Sequence, residues 1–127
     1  MLDGHIHIER GAYTLDWIDQ FVSKAVEMEI DEICYFKEFE RFISGLTKGK
    51  GFDFLLGSIH FVDDFAFDHK AEHWTGLDVD KIFGRYFEDS ISLAKSRIFD
   101  GIGHPDAIRL FGHGPSYSLS GYYESLA

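Results

Sequence analysis

Residues 52–62, FDFLLGSIHFV, constrain the fold more than any other stretch of the chain. The run is nearly continuously apolar, follows a Gly/Lys cluster and ends at Asp63 and Asp64. A parallel strand buried on both faces has this composition, because a strand wetted on one side would alternate apolar with polar. His60 sits near the carboxyl end of the expected strand.

Around this strand the pattern alternates. Residues 2–8, LDGHIHI, read as a short strand with His5 and His7 on one face. Leu15, Ile18, Phe21, Val22, Ala25 and Val26 recur at helical spacing, predicting a helix over residues 15–28 with Thr14 as N-cap. DEICYF at 31–36 predicts a second strand, and Phe36, Phe39, Phe42 and Ile43 a short helix after it. Residues 63–76 read as a loop. Asp78 is placed to cap a long helix over residues 79–96, whose stripe is Val79, Ile82, Phe83, Tyr86, Phe87, Ile91 and Ala94. IFDGIGH at 98–104 predicts another strand, stopped by Pro105, and residues 116–127 a terminal helix. Strands alternating with helices imply βαβ units and a mostly parallel sheet, whose sites gather at the carboxyl ends of the strands.

Histidines fall at those ends in three separate strands: His5 and His7, His60, and His104. Imidazole ligates zinc, iron and manganese, and two histidines at i and i+2 on a strand project the same way, so both can grip one ion. Glu32, near the second strand, has the carboxylate that a two-metal hydrolase needs as a bridge. Each taken singly also fits a blander role: a hydrogen-bonded surface pair, a satisfied core histidine, a solvated carboxylate. The shared strand-end placement is what favours a metal site.

Composition bounds the function classes. The 127 residues, 45% apolar and 17% aromatic, suit one globular domain over residues 1–127. With 12 basic against 22 acidic side chains the net charge is -10, which disfavours nucleic acid and anionic membranes as partners. No apolar run is long enough to span a membrane, and MLDGHIHIERG lacks the basic and apolar regions of a signal peptide. The lone Cys34 suits a reducing compartment, so a soluble cytoplasmic protein is expected.

Four words in order, DGHIHIE, EICYF, FDFLLGSIHFVDDFAFD and FDGIGHPDAIRLFG, resemble the PHP (polymerase and histidinol phosphatase) superfamily, and within it the histidinol-phosphatase branch. The resemblance implies a distorted (β/α)7 TIM-like barrel of mostly parallel strands. It also implies a cluster of divalent ions (Zn, Mn or Fe) and hydrolysis of a small phosphomonoester, typically L-histidinol phosphate. His5 and His7 match its paired ligands, Glu32 its bridging carboxylate, and His60 and His104 the ligands of Gly-Ser-(Ile/Val)-His and Gly-His-x-Asp. Arg109 looks like the residue that holds the substrate phosphate, with a solvated surface arginine as the competing reading. Asp106 fits either an orienter of His104 or a turn cap after Pro105.

The chain also departs from that pattern. It passes from AVEMEI almost directly into DEICYF, without the Thr-(Asp/Glu)-His segment, and it has no late Asp-x-His. IDEI resembles the start of the strand that is lacking, which leaves the match of Glu32 open. A partial barrel of about four strands is therefore expected, holding one or two ions and covering its open edge by homo-oligomerisation. The expected activity is metal-dependent phosphoester hydrolysis without a covalent intermediate. A non-catalytic metal-binding remnant and a phosphatase acting on another small phosphomonoester are the alternatives, and the charge counts against a nuclease.

Overall fold

The structure, a computed structural model, describes Gln20, residues 32–49 and residues 52–127. The expected strand over residues 2–8, with His5 and His7, lies outside the described residues, as does the helix expected over 15–28 apart from Gln20.

Three short parallel strands form the sheet: β1 (Glu32–Cys34), β2 (Leu56–Ser58) and β5 (Gly101–Ile102), in the order β1-β2-β5. The register sets Glu32 opposite Leu56 and Cys34 opposite Ser58, then Leu56 opposite Gly101 and Gly57 opposite Ile102. Flanking bonds extend the ladder: Tyr35 N donates to Ser58 O at 2.8 Å and Gly103 N to Gly57 O at 3.0 Å. Parallel neighbours require crossovers, and each is helical. A 3-10 turn (Lys37–Phe39) and α1 (Glu40–Thr47) join β1 to β2, while α2 (Val79–Ser96) lies between β2 and β5.

α2 forms as its sequence dictates. The Asp78 side chain accepts from Lys81 N at 3.1 Å, satisfying one of the amide groups that a helix start leaves unpaired. Phe83, Tyr86, Phe87, Ser90 and Leu93 are its buried residues and pack with Tyr35, Ile59, Val62, Phe67, Trp74, Ile108 and Leu119 in the core. Burying a large apolar side chain contributes about 1.5–3 kcal/mol, so the buried aromatics of α2 anchor the helix to the sheet. Ala94, expected in the stripe, is exposed; the inward position in that turn goes to Leu93, and Ser90 is tolerated in the core because its hydroxyl donates to Tyr86 O at 2.8 Å.

The run at residues 52–62 is not one strand. It pairs with the sheet only at Leu56–Ser58, leaves it through Ile59 and His60, and becomes β3 (Phe61–Val62), which turns through Asp63 and Asp64 into antiparallel β4 (Phe65–Ala66). Asp63 takes φ 51, a conformation that Asp tolerates better than most residues, and this allows the tight reversal. The expected loop over 63–76 thus carries half a hairpin and a 3-10 turn (Ala71–Trp74). The strand expected over 98–104 is paired only at Gly101–Ile102. Phe99 instead folds its ring against Gly57, and the Asp100 carboxylate accepts from Leu55 N at 2.8 Å. The terminal helix α3 begins only at Ser120 and runs to Leu126, preceded by a strap whose Tyr117 hydroxyl donates to Asp80 O at 2.9 Å.

The result is a small α/β arrangement around an open parallel sheet, with no closed barrel among the described residues. No described helix is long and apolar enough to cross a membrane.

Candidate functional site

His60 and His104 each lie two residues beyond the end of a strand, β2 and β5 respectively, and these strands are parallel neighbours. The two imidazoles therefore leave the sheet at the same, carboxyl end, and their ring centroids stand 4.9 Å apart at an interplanar angle of 68°. Two imidazoles on one tetrahedral ion, with metal–nitrogen bonds of about 2.0–2.1 Å, would place their centroids roughly 5 Å apart.

His60 is 4% exposed, and its Nδ1 lies 2.6 Å from Oδ2 of Asp68. With Nδ1–H donating to the carboxylate, the neutral ring carries its lone pair on Nε2. A carboxylate on the far nitrogen of a histidine is the arrangement that orients metal-ligating imidazoles. Asp68 is itself held on a fixed segment. Its neighbour Phe67 is buried edge-on against Tyr86, with ring centroids 5.3 Å apart, and the Phe67 carbonyl accepts from Trp74 Nε1 at 2.9 Å. Burial pushes the Asp68 carboxyl upward, but hydrogen bonding, with His60 first, outweighs it and leaves the pKa below its ordinary value. Its second oxygen, Oδ1, is buried and has no hydrogen-bond partner among the described residues.

His104 is exposed and takes φ 31, although it is not glycine and precedes Pro105. Conformations of this kind cost about 1–3 kcal/mol and persist where surrounding contacts impose them. Here the His104 carbonyl accepts from Ala107 N at 2.9 Å and, more weakly, from the Tyr86 hydroxyl at 3.4 Å. Tyr86 is buried, and desolvation first, then the Asp106 carboxylate, pushes its hydroxyl well above the ordinary tyrosine range. It stays a donor.

The remaining expected residues are less gathered. Asp106 and Arg109 are both exposed, at the two ends of a 3-10 turn (Ala107–Arg109) that follows His104. Asp106 makes no side-chain cap; its backbone carbonyl accepts from Arg109 N at 2.9 Å instead. Glu32 lies opposite Leu56, four residues before His60. His5 and His7 lie outside the described residues. Among the described residues no group of three or more His, Cys, Asp and Glu could hold a metal ion, so the described portion supplies a pair of imidazoles and an orienting carboxylate. That donor set fits part of a zinc, manganese or iron shell.

The sequence alone does not single out Asp68. Its signal was the paired Asp63 and Asp64 between apolar flanks, a two-residue reversal. A reversal there sets Val62 opposite Phe65 and Phe61 opposite Ala66, and so carries Asp68 back beside His60.

No protein-family model matches the chain. Over 85 residues it is 28% identical to a protein of Deinococcus radiodurans named probable histidinol-phosphatase, a match that covers 63% of this chain and 33% of that protein. The chain thus spans about a third of the length of the curated relative it matches.

Proposed function

We propose that the chain is a phosphoesterase of the histidinol-phosphatase type, metal-dependent and built on part of a PHP barrel, with a small phosphomonoester as substrate. The observation that carries this reading is the convergence of His60 and His104 at the carboxyl end of a parallel sheet, with Asp68 behind His60. The partial similarity to a protein named probable histidinol-phosphatase supports the same class of hydrolase.

In this reading His60 and His104, joined by His5, His7 and Glu32, would hold one or two divalent ions. The chemistry such ions supply is Lewis-acid polarisation of the phosphoryl group and activation of water at neutral pH. The chain's own residues do the rest. Asp68 lies 2.6 Å from Nδ1 of His60, on the side of the ring away from Nε2. Arg109, five residues beyond His104, offers a guanidinium to the phosphate, which matters in a protein of net charge -10 that otherwise repels anions.

Phosphate release from L-histidinol phosphate, measured with Mn²⁺ or Zn²⁺ and after chelation, tests the reading. Turnover is expected with the metal, absent without it, abolished by His60→Ala and lowered about 10-fold or more by Arg109→Ala. Turnover unchanged in His60→Ala would place the activity elsewhere. A chain that binds the metal and hydrolyses none of a panel of phosphomonoesters would be a metal-binding protein and no phosphatase.

A further inference from the structure

We propose that Asp68 is the positioning residue of this site, holding His60 in the tautomer and orientation that presents Nε2; this deepens the metal-dependent reading above and rests on it. The contact is short and largely enclosed: Nδ1 to Oδ2 is 2.6 Å, with the two side chains 5% and 17% exposed.

A carboxylate recruited for stability alone would satisfy both its oxygens, since a buried charged oxygen left unpaired costs more than a hydrogen bond returns. Asp68 does not. Oδ1 is buried with no partner among the described residues, while Oδ2 is committed to the histidine. The segment that carries Asp68 is fixed on both sides of this cost. Val62 and Phe67 are buried, β3 and β4 are paired in register, and Trp74 ties the Phe67 carbonyl. Among the described residues, one oxygen of Asp68 is thus committed to His60 while the other has no side-chain partner, on a segment whose geometry is fixed. His104 shows the same pattern, its backbone held at φ 31 beside Pro105. Both imidazoles that face each other are thus constrained by groups outside the pair, His60 through its ring and His104 through its main chain.

The test uses the full chain with Asp68→Ala and the near-isosteric Asp68→Asn. Long-range nitrogen–proton NMR on the chelator-treated protein reads the tautomer of His60 directly, without metal or substrate. The wild type is expected to carry the proton on Nδ1. Asp68→Ala is expected to lose that preference, and Asp68→Asn, whose amide oxygen still accepts, to retain much of it. Affinity for Zn²⁺, measured by competition with a chromophoric chelator, should fall about 10- to 100-fold in Asp68→Ala and less in Asp68→Asn.

A wild-type His60 protonated on Nε2 would overturn the proposal, as would an Asp68→Ala protein with unchanged tautomer and unchanged affinity. Should Asp68→Ala fail to fold, Asp68→Leu, similar in size and without an acceptor, takes its place: native tryptophan fluorescence with an unchanged tautomer and unchanged Zn²⁺ affinity would also overturn it. The two readings fail separately. A tautomer shift in a chain that binds no Zn²⁺ removes the metal site and leaves Asp68 coupled to His60. Metal binding and hydrolysis that ignore Asp68 leave the phosphoesterase and remove the positioning role.

Discussion

Gly57 sits in the central strand with no room for a side chain. A Cβ there would stand 2.7 Å from two atoms of the Phe99 ring, and that ring is braced edge-on by Tyr35 with centroids 6.1 Å apart. Relief would need the ring or the strand to move, so Gly57→Ala should destabilise the protein by about 1–3 kcal/mol in urea unfolding. Phe99→Leu in the same background should recover part of it, and full stability of the single variant would show that the ring yields freely. At this scale the placement of His60 and His104 at neighbouring strand ends is legible in the sequence, because a histidine at the carboxyl end of a parallel strand needs only the strand and its direction to be right. That of Asp68 is not, because its partner is fixed by a hairpin of four paired residues inside a stretch that the sequence presents as loop. Asp106 offers two roles from sequence; in the structure its main-chain carbonyl accepts from Arg109 N and its side chain makes no cap.

α2 carries a charged face as well as a buried one, and its balance is testable. Asp89 is half-buried and lies 3.6 Å from Arg85, but Arg85 is shared at 3.6 Å with Asp63 from the hairpin and with Glu88 one turn along. Burial, then the charges of Asp63, Glu88 and Glu38, push the Asp89 carboxyl up, against the opposing pull of Arg85. A carboxyl whose folded pKa lies above its unfolded value, about 4, binds its proton longer in the folded state. Stability from this group is therefore present at acid pH and lost as pH rises through the folded pKa. Asp89→Asn should accordingly raise stability at pH 7, and the gain should vanish near pH 3.5; denaturant midpoints at the two values check both halves, and a loss at pH 7 would mean the Arg85 pairing dominates. The element itself is legible in the sequence, because 18 residues of period 3.6 behind an Asp cap outweigh local noise. The expected strands are longer than the paired ones. Their ladders are two or three residues, and hydrophobic periodicity cannot tell a paired residue from an apolar one that merely packs.

Across the whole molecule, the α/β class and the parallel sheet were legible because alternating strand and helix signals admit few other arrangements. Barrel closure was not, since it depends on strand number and stagger, which three described strands in an open order do not fix. The site's position turns this architecture into a stability prediction. His60 leaves the end of β2, His104 the end of β5, and Asp68 the far side of a hairpin, so a ligand held between the rings would tie three segments that the ladder leaves two or three residues long. An ion that binds the folded chain and not the unfolded one stabilises by mass action, about 2.7 kcal/mol at a free concentration 100-fold above Kd. For a domain of this size that is a rise in Tm on the order of 10 °C. Thermal unfolding of the chelated protein, repeated with excess Zn²⁺ or Mn²⁺, should show the rise in the wild type and lose most of it in His60→Ala. An equal rise in that variant would mean the ion binds away from these strand ends, and no rise in the wild type would separate the imidazole pair from metal altogether.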